Sequence, residues 1–323
     1  MSARSALRIG TRGSQLAMWQ ATTVAGLLAE AGIGSEIVAI RTSGDRLQEA
    51  PLAEPGGKRL FVKEIEDALL RREIDLAVHS AKDMPAGLPH GLAVAATLRR
   101  EDPRDALVLP GGASPGDLAA SQSRLPPTVR IGTSSVRRAA QLRPLFPGAA
   151  FEPVRGNVDT RLRKLDEGRY DALVLASAGL RRLRLGARIT TALPIDACCP
   201  APGQGIVAVE IRQDDEEARE AVERIHDREA GISFAAERAL VAALGGGCQL
   251  PLGAVALHEG GGLTMHAVVA SPDGRRAIRK HGRGPASEPA ALGERIAAEL
   301  MHGGAMEILD AVRQHHGPVE GSY

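Results

Sequence analysis

From residue 7 onward, short apolar runs alternate with stretches in which apolar positions recur every three or four residues. LRIGT (7–11) reads as a strand, and RGSQLAMWQATTVAGLLAEAG as the helix that follows. Leu16, Trp19, Thr23 and Leu27 lie near one face of that helix, and Gly32 is its stop. EIVAIRT (36–42) is a second strand, so the segment is a βαβ unit and implies a parallel sheet. Arg12 and Ser14 fall where the first strand hands over to its helix, at the edge of an α/β sheet where ligands bind. Residues 46–58 carry two prolines and two glycines with no period, which favours a lid over a site. Phe61, Ile65, Ala68 and Leu69 then mark an amphipathic helix.

The same strand, turn and helix logic recurs downstream. In DLAVHSAKDMP, Asp75–Val78 reads as a buried strand, leaving Lys82 and Asp83 together on a loop at the ligand edge. An exposed ion pair and a functional pair are both open there. A Pro/Gly/Ser-rich interval (109–127) suggests a linker or inserted loop. TVRIGTSSVRRAAQLRPL is strand, glycine turn and helix start, with Ser134 or Ser135 as cap and Thr133 beside them. Arg137 and Arg138 stand in the first turn, where arginine opposes the helix dipole and an anion would relieve it. VRGNVDTRLRKL (154–165) repeats the junction, with Asn157 as cap, Val158, Leu162 and Leu165 inward, and Arg155 and Arg161 at its start. DALVLASAGLRRLRL adds another, with Arg181 and Arg182. Arginines at three successive strand-to-helix turns suggest a cleft for several carboxylates or phosphates, each held in a bidentate fork.

Beyond PAPGQGIVAVEIR and an acidic helix, the pattern changes near 225. A helix over 229–244, strands over 252–258, 263–270 and 275–282, and helices near 288–301 and 303–315 form a smaller α+β unit. The class is α/β: two lobes with parallel-type sheets, then this C-terminal domain. Cys248, in LGGGCQLPLG, sits on a glycine-rich loop between helix and strand. Its thiol is sterically open, and both a structural and a chemical role remain possible.

The 323 residues suffice for two or three domains, and 44% apolar with 24% charged residues is ordinary for a globular protein. No apolar run has the length of a membrane span, and MSARSALRIG lacks the apolar core of a signal peptide. With three cysteines in neither disulfide nor metal spacing, a cytoplasmic, reduced protein with no metal is expected. A net charge of +1 and seven aromatic residues speak against a nucleic-acid partner. Only five of the 40 basic residues are lysine, so Lys58, Lys63 and Lys82 in one short region are more informative than any single arginine.

These residues carry a resemblance. GGKRLFVKE (56–64), DLAVHSAKDMP, REDPRDAL, IGTSSVRRAAQL, RGNVDTRL, APGQG and GGGCQLPLG occur in the order found in the porphobilinogen deaminase family, whose pattern the chain resembles over nearly its whole length. The resemblance implies a cytoplasmic, monomeric transferase of tetrapyrrole biosynthesis. Such an enzyme joins four porphobilinogen molecules with loss of ammonia and releases linear hydroxymethylbilane. It also implies a dipyrromethane cofactor on a thioether to Cys248, with Asp83 as the catalytic carboxylate. Lys58, Lys82, Asp83, Thr133, Ser134, Ser135, Arg137, Arg138, Arg161, Arg182 and Gln204 would then hold the cofactor, and Arg12, Ser14, Arg155 and Arg182 the substrate. The implied domains are 1–104 with 200–224, 105–199, and 225–323, the first two resembling periplasmic-binding-protein lobes. Glu54 stands where several family members have lysine and receives no binding role, while Cys198 and Cys199 match no motif and are read as structural. Two other readings of the same residues are a two-lobed anion-binding protein, which predicts a secretion signal, and a phosphate-dependent enzyme, which predicts a phosphate loop.

Overall fold

The computed structural model describes residues 6–42, 62–112, 115–246 and 250–316. The 46–58 stretch with Glu54 and Lys58, Phe61 and Cys248 lie outside the described residues. Strands β1 (Leu7–Arg12), β2 (Ser35–Ile40), β3 (Leu76–Ser80), β4 (Leu92–Thr97), β5 (Asp105–Val108), β6 (Arg130–Gly132), β7 (Ala150–Glu152), β8 (Ala172–Ala176), β9 (Thr191–Ala192) and β10 (Val207–Arg212) build two five-stranded sheets. Strands β11 (Leu252–Glu259), β12 (Gly262–Ala270) and β13 (Ala277–Gly284) form a third, antiparallel one.

The first sheet has the order β2-β1-β3-β10-β4 and the second β7-β6-β8-β5-β9, so the two lobes share one layout. The first three strands of each order are parallel, as the βαβ pattern requires, and the fourth is antiparallel to its neighbours. That fourth strand comes from the other lobe. The chain leaves β4, crosses through 98–104 and enters the second sheet as β5, then returns from β9 through 193–206 and enters the first sheet as β10. Two crossing segments therefore join the lobes.

Helices α1 (Gln15–Glu30), α2 (Lys63–Leu70), α3 (Leu118–Gln122), α4 (Val136–Leu142), α5 (Val158–Asp166), α6 (Ser177–Arg182), α7 (Glu216–Glu223), α8 (Arg228–Ala243), α9 (Pro289–His302) and α10 (Ala305–His316) cover the sheets. In the first lobe, Val24 and Leu28 of α1 pack on Leu7, Ile9, Val78 and Val209. Each such fully buried Leu, Ile or Val contributes roughly 1.5–3 kcal/mol. The buried face of α1 is Ala17, Gln20, Ala21, Val24 and Leu28, one position off the face that the spacing of larger residues suggests. Small residues let the helix lie close on its own sheet. Leu16 and Trp19 turn toward the second lobe, where a Cβ on Gly179 would lie 3.7 Å from Leu16.

The third sheet and α8–α10 enclose a separate apolar core that includes Leu240, Leu252, Met265, Ile296 and Leu309. This smaller domain rests on both lobes. Ala230 and Phe234 of α8 pack with Ala81, Met84 and Ile206 of the first, while Val255 and Val268 pack with Ala140 and Cys199 of the second. Among the described residues, no helix is long and apolar enough to cross a membrane.

Candidate functional site

The strand ends and crossing segments meet between the lobes, and each expected side chain can be followed there. Strand β3 extends to Ser80, two residues past the expected end, and a 3-10 turn over Ala81–Asp83 follows before Pro85. Lys82 and Asp83, both half-buried, sit on that turn. Against it runs the glycine turn of the returning segment. Gly203 has φ +74, and a Cβ there would lie 2.8 Å from Ala81 C and 2.9 Å from Lys82 N, so only glycine lets the two backbones approach this closely. Arg238 of α8 donates to the carbonyls of Pro85 and Ala86, at 3.0 and 2.6 Å, holding the chain just beyond Asp83.

On the facing lobe, Ser135 caps α4 and its hydroxyl accepts from Arg138 N. Ser134 exchanges both of its hydroxyl bonds with the backbone of Val154, and Thr133 Oγ1 accepts from Ser135 N. These hydroxyls shape the turn between β6 and α4. Asn157 occupies the N-cap of α5 with no side-chain cap bond. The side chain of Arg161, one turn along α5, donates from Nε to Gly156 O at 2.7 Å. Burial, with Arg138 adding to it, pushes the Arg161 guanidinium down to about 10, and Asp83 of the opposite lobe acts against that shift. Asp83 and Arg161 thus sense each other across the seam. Arg155 is half-buried at the preceding turn, and Arg12 and Ser14 end β1 and begin α1, with Ser14 capping the helix.

Arg182, buried on α6, donates to Gly205 O at 2.7 Å, and its guanidinium carbon lies 5.4 Å from the Trp19 ring centroid of the other lobe. Burial brings its value to about 10, with Glu101 opposing. Arg182 is buried and Arg161 half-buried, each with little carboxylate compensation, which favours an anion arriving from outside.

Arg137 and Arg138 have a different environment from the one expected at a helix start. Both are buried, and both point at Asp105, a carboxylate with 0% exposure at the start of β5. Arg137 Nη1 donates to Asp105 Oδ2 at 2.7 Å and to Cys199 O at 2.5 Å. Arg138 donates to Asp105 Oδ1 through Nε and Nη2, at 3.0 and 2.7 Å, and to Val174 O. Burial opposes ionisation of Asp105, but the two guanidiniums outweigh it and hold the carboxyl below its usual range. Gln204, also buried, donates to Asp105 Oδ1 at 2.9 Å and to Pro103 O at 2.6 Å, and accepts from Lys82 Nζ at 3.4 Å. A continuous chain thus links Lys82, Gln204, Asp105 and the two arginines across the seam. Cys198 donates to Asp105 at 3.4 Å, and Cys199 bonds to His266 O, with burial raising both thiols, Cys199 to about 12. Both are placed as internal packing groups.

Two of the buried acids had no signal in the pattern. Asp105 lies within REDPRDAL, and Glu237 is on α8. Glu237 has 0% exposure, pairs with Arg100 at 2.6 Å, and accepts from Gly203 N and Ala256 N at 2.5 and 2.8 Å. A lone acid among apolar neighbours in those segments would have been the available cue. Among the described residues, no cluster of histidine, cysteine and acids could hold a metal ion. The assembled groups can bind a chain of carboxylates and set one further carboxylate, Asp83, beside it.

Residues 7–220 match the family model described as porphobilinogen deaminase, dipyromethane cofactor binding domain, and residues 232–302 match porphobilinogen deaminase, C-terminal domain. The chain is 48% identical over 309 residues to the porphobilinogen deaminase of Acidithiobacillus ferrooxidans, covering 95% of this chain and 98% of that one. It is 45% identical to that of Syntrophobacter fumaroxidans, with 95% and 97% covered. Among solved structures, a periplasmic substrate-binding protein of an ABC transporter from Coxiella burnetii overlays 72% of this chain and 96% of its own. Its TM-score is 0.41 at 12% identity, too loose a likeness to argue from.

Proposed function

The chain belongs to the porphobilinogen deaminase family, and from that premise we propose how its own residues carry the family's reaction. It is a transferase of tetrapyrrole biosynthesis, a hydroxymethylbilane synthase that joins four porphobilinogen molecules with loss of ammonia. The matched domain is one that binds a dipyrromethane cofactor. The observation that best supports our reading of the site is the pair of cations at the seam, buried Arg182 against Trp19 and half-buried Arg161 within the field of Asp83, each from the opposite lobe.

The residues present fit that group, because a dipyrrole brings acetate and propionate arms to guanidiniums that burial leaves short of counter-charge. Lys82, Thr133, Ser134, Ser135, Arg137, Arg138, Arg161, Arg182 and Gln204 would hold the cofactor. Asp83, and Lys58 outside the described residues, complete that set. When bound, the dipyrromethane supplies the pyrrole carbon from which the chain grows. Cys248 would anchor it through a thioether. The approach to that cysteine is consistent with this: Gly246 has φ +57, and a Cβ on it would come within 2.7 Å of Ala86, three residues past Asp83.

Arg12, Ser14, Arg155 and Arg182 would orient the incoming porphobilinogen by its carboxylates, as bidentate arginine forks do. Loss of ammonia leaves the substrate's own pyrrole electron-poor and cationic. Asp83, next to Lys82 and within the field of Arg161 from the opposite lobe, would accept from the pyrrole N–H and stabilise that charge. Arg137 and Arg138 act in this reading through the Asp105 contacts as much as directly. The chain divides, on this proposal, into 1–104 with 200–224, 105–199 and 225–323, supported by three sheets with separate cores. We propose that it works as a cytoplasmic monomer.

Intact mass together with turnover tests the reading. Purified wild type is expected to be heavier than its sequence by one dipyrrole and to make bilane from porphobilinogen, and Cys248→Ser is expected to carry no adduct. A wild type of bare sequence mass that forms no bilane overturns the proposal.

A further inference from the structure

Asp105 is enclosed so completely that no substrate can reach it, yet it accepts from Arg137, Arg138, Gln204 and Cys198. A carboxylate offers about four acceptor directions, and here they are filled by groups from two separate segments, α4 and the returning segment 193–206. Neutralising two guanidiniums would account for the arginine contacts alone. It does not account for Gln204, whose carboxamide is uncharged and needs no counter-ion. Asp105 Oδ1 and Pro103 O both accept from the Gln204 amide nitrogen, at 2.9 and 2.6 Å, and together they set which end of that amide faces the other lobe. Gln204 Oε1 is thereby turned to Lys82 Nζ. Reversed, the amide would oppose one donor with another and push Lys82 away. The same oxygen takes both Nε and Nη2 of Arg138, which fixes the guanidinium plane beside Arg161.

We propose that Asp105 is a positioning residue of the reaction: one buried carboxylate sets the orientation of Arg138 and, through Gln204, of Lys82, so that anion-binding groups from both lobes stand ready before any ligand arrives. The inference rests on the functional reading above. Preorganisation of this kind lowers what binding must supply to order the site. Its loss falls on capture of carboxylates more than on the chemical step.

The test compares wild type with Asp105→Asn, with the charge-balanced double variant Asp105→Asn, Arg137→Gln, and with Gln204→Met. For soluble, folded protein the readouts are intact mass, thermal midpoint, and KM and kcat for porphobilinogen. The double variant is expected to regain thermal stability lost in Asp105→Asn, while its KM stays raised about tenfold or more, its kcat changes less, and its dipyrrole-loaded fraction falls. Gln204→Met keeps both guanidiniums on Asp105 and is expected to show the same rise in KM with little change in midpoint. If either variant has the wild-type KM and full loading, Asp105 is only a charge compensator and the inference falls. Should neither Asp105 variant fold, Gln204→Met decides alone. A wild type without adduct or bilane would instead overturn the functional reading, which keeps the two failures distinct.

Discussion

On the proposed mechanism, Asp83 carries the heaviest chemical demand of any single side chain. Asp83→Asn keeps the size and one acceptor but removes the charge, and is expected to lower kcat by about 10²–10³-fold while intact mass still reports an adduct. Near-normal turnover would take Asp83 out of the mechanism. For an arginine proposed to orient substrate, Arg155→Leu is expected to raise KM by roughly tenfold with a smaller effect on kcat; unchanged kinetics would mean that its side chain does not meet substrate. Asp105 carries a pH signature as well. Its folded value lies below the ordinary carboxylate range, so its ionised form stabilises the fold. That contribution is fully present above about pH 4 and is lost as pH falls from there through the folded value. Thermal midpoints below about pH 4 should therefore drop more steeply in wild type than in the charge-balanced double variant.

At the scale of elements, the 3-10 turn Ala81–Asp83 and the glycine turn at Gly203 act as a pair. Gly203→Ala would add a Cβ at a positive φ and against backbone, which cannot step aside as a side chain can. A destabilisation of about 1–3 kcal/mol is expected, with a raised KM in the folded fraction, read by denaturant unfolding and kinetics. The junctions themselves were legible: glycine followed by serine or asparagine between an apolar run and a helical period announced the turns before α1, α4 and α5. Which way their arginines point was not. Arg137 and Arg138 share one turn with Ser135, and only the arrival of β5 from another part of the chain sets Asp105 beneath them. The face of α1 was misplaced by one position for a similar reason. Size suggested Leu16 and Trp19 as core, whereas contact with a second lobe gives large residues another surface to cover.

At the scale of the molecule, Glu237 joins the smaller domain to the crossing segments through Arg100 and Gly203, while Ala256 N braces it within its own domain. Removing one partner of a buried pair costs roughly 3–5 kcal/mol, because the other charge is left enclosed. Glu237→Gln is therefore expected to lower the unfolding free energy by an amount in that range and to loosen the third domain's seat on the lobes. Proteolytic susceptibility beside the thermal midpoint checks it. Little change in either would show that the domains are held by their apolar contacts alone.

Strand, helix and turn types, the change of pattern near 225, and the motif order that identifies the family all follow from local sequence, since they depend on neighbours within a few residues. The glycine surroundings of Cys248 are written in the chain as well, while the anchor role proposed for it comes from the family resemblance. What only the tertiary structure decided is how charges are shared. The antiparallel entry of β5 and β10, the Asp105 and Glu237 junctions, and the contact of Arg182 with Trp19 each join residues far apart in sequence. Whether an arginine meets an internal carboxylate or waits for a ligand depends on which distant strand folds in beside it, and no periodicity along the chain records that.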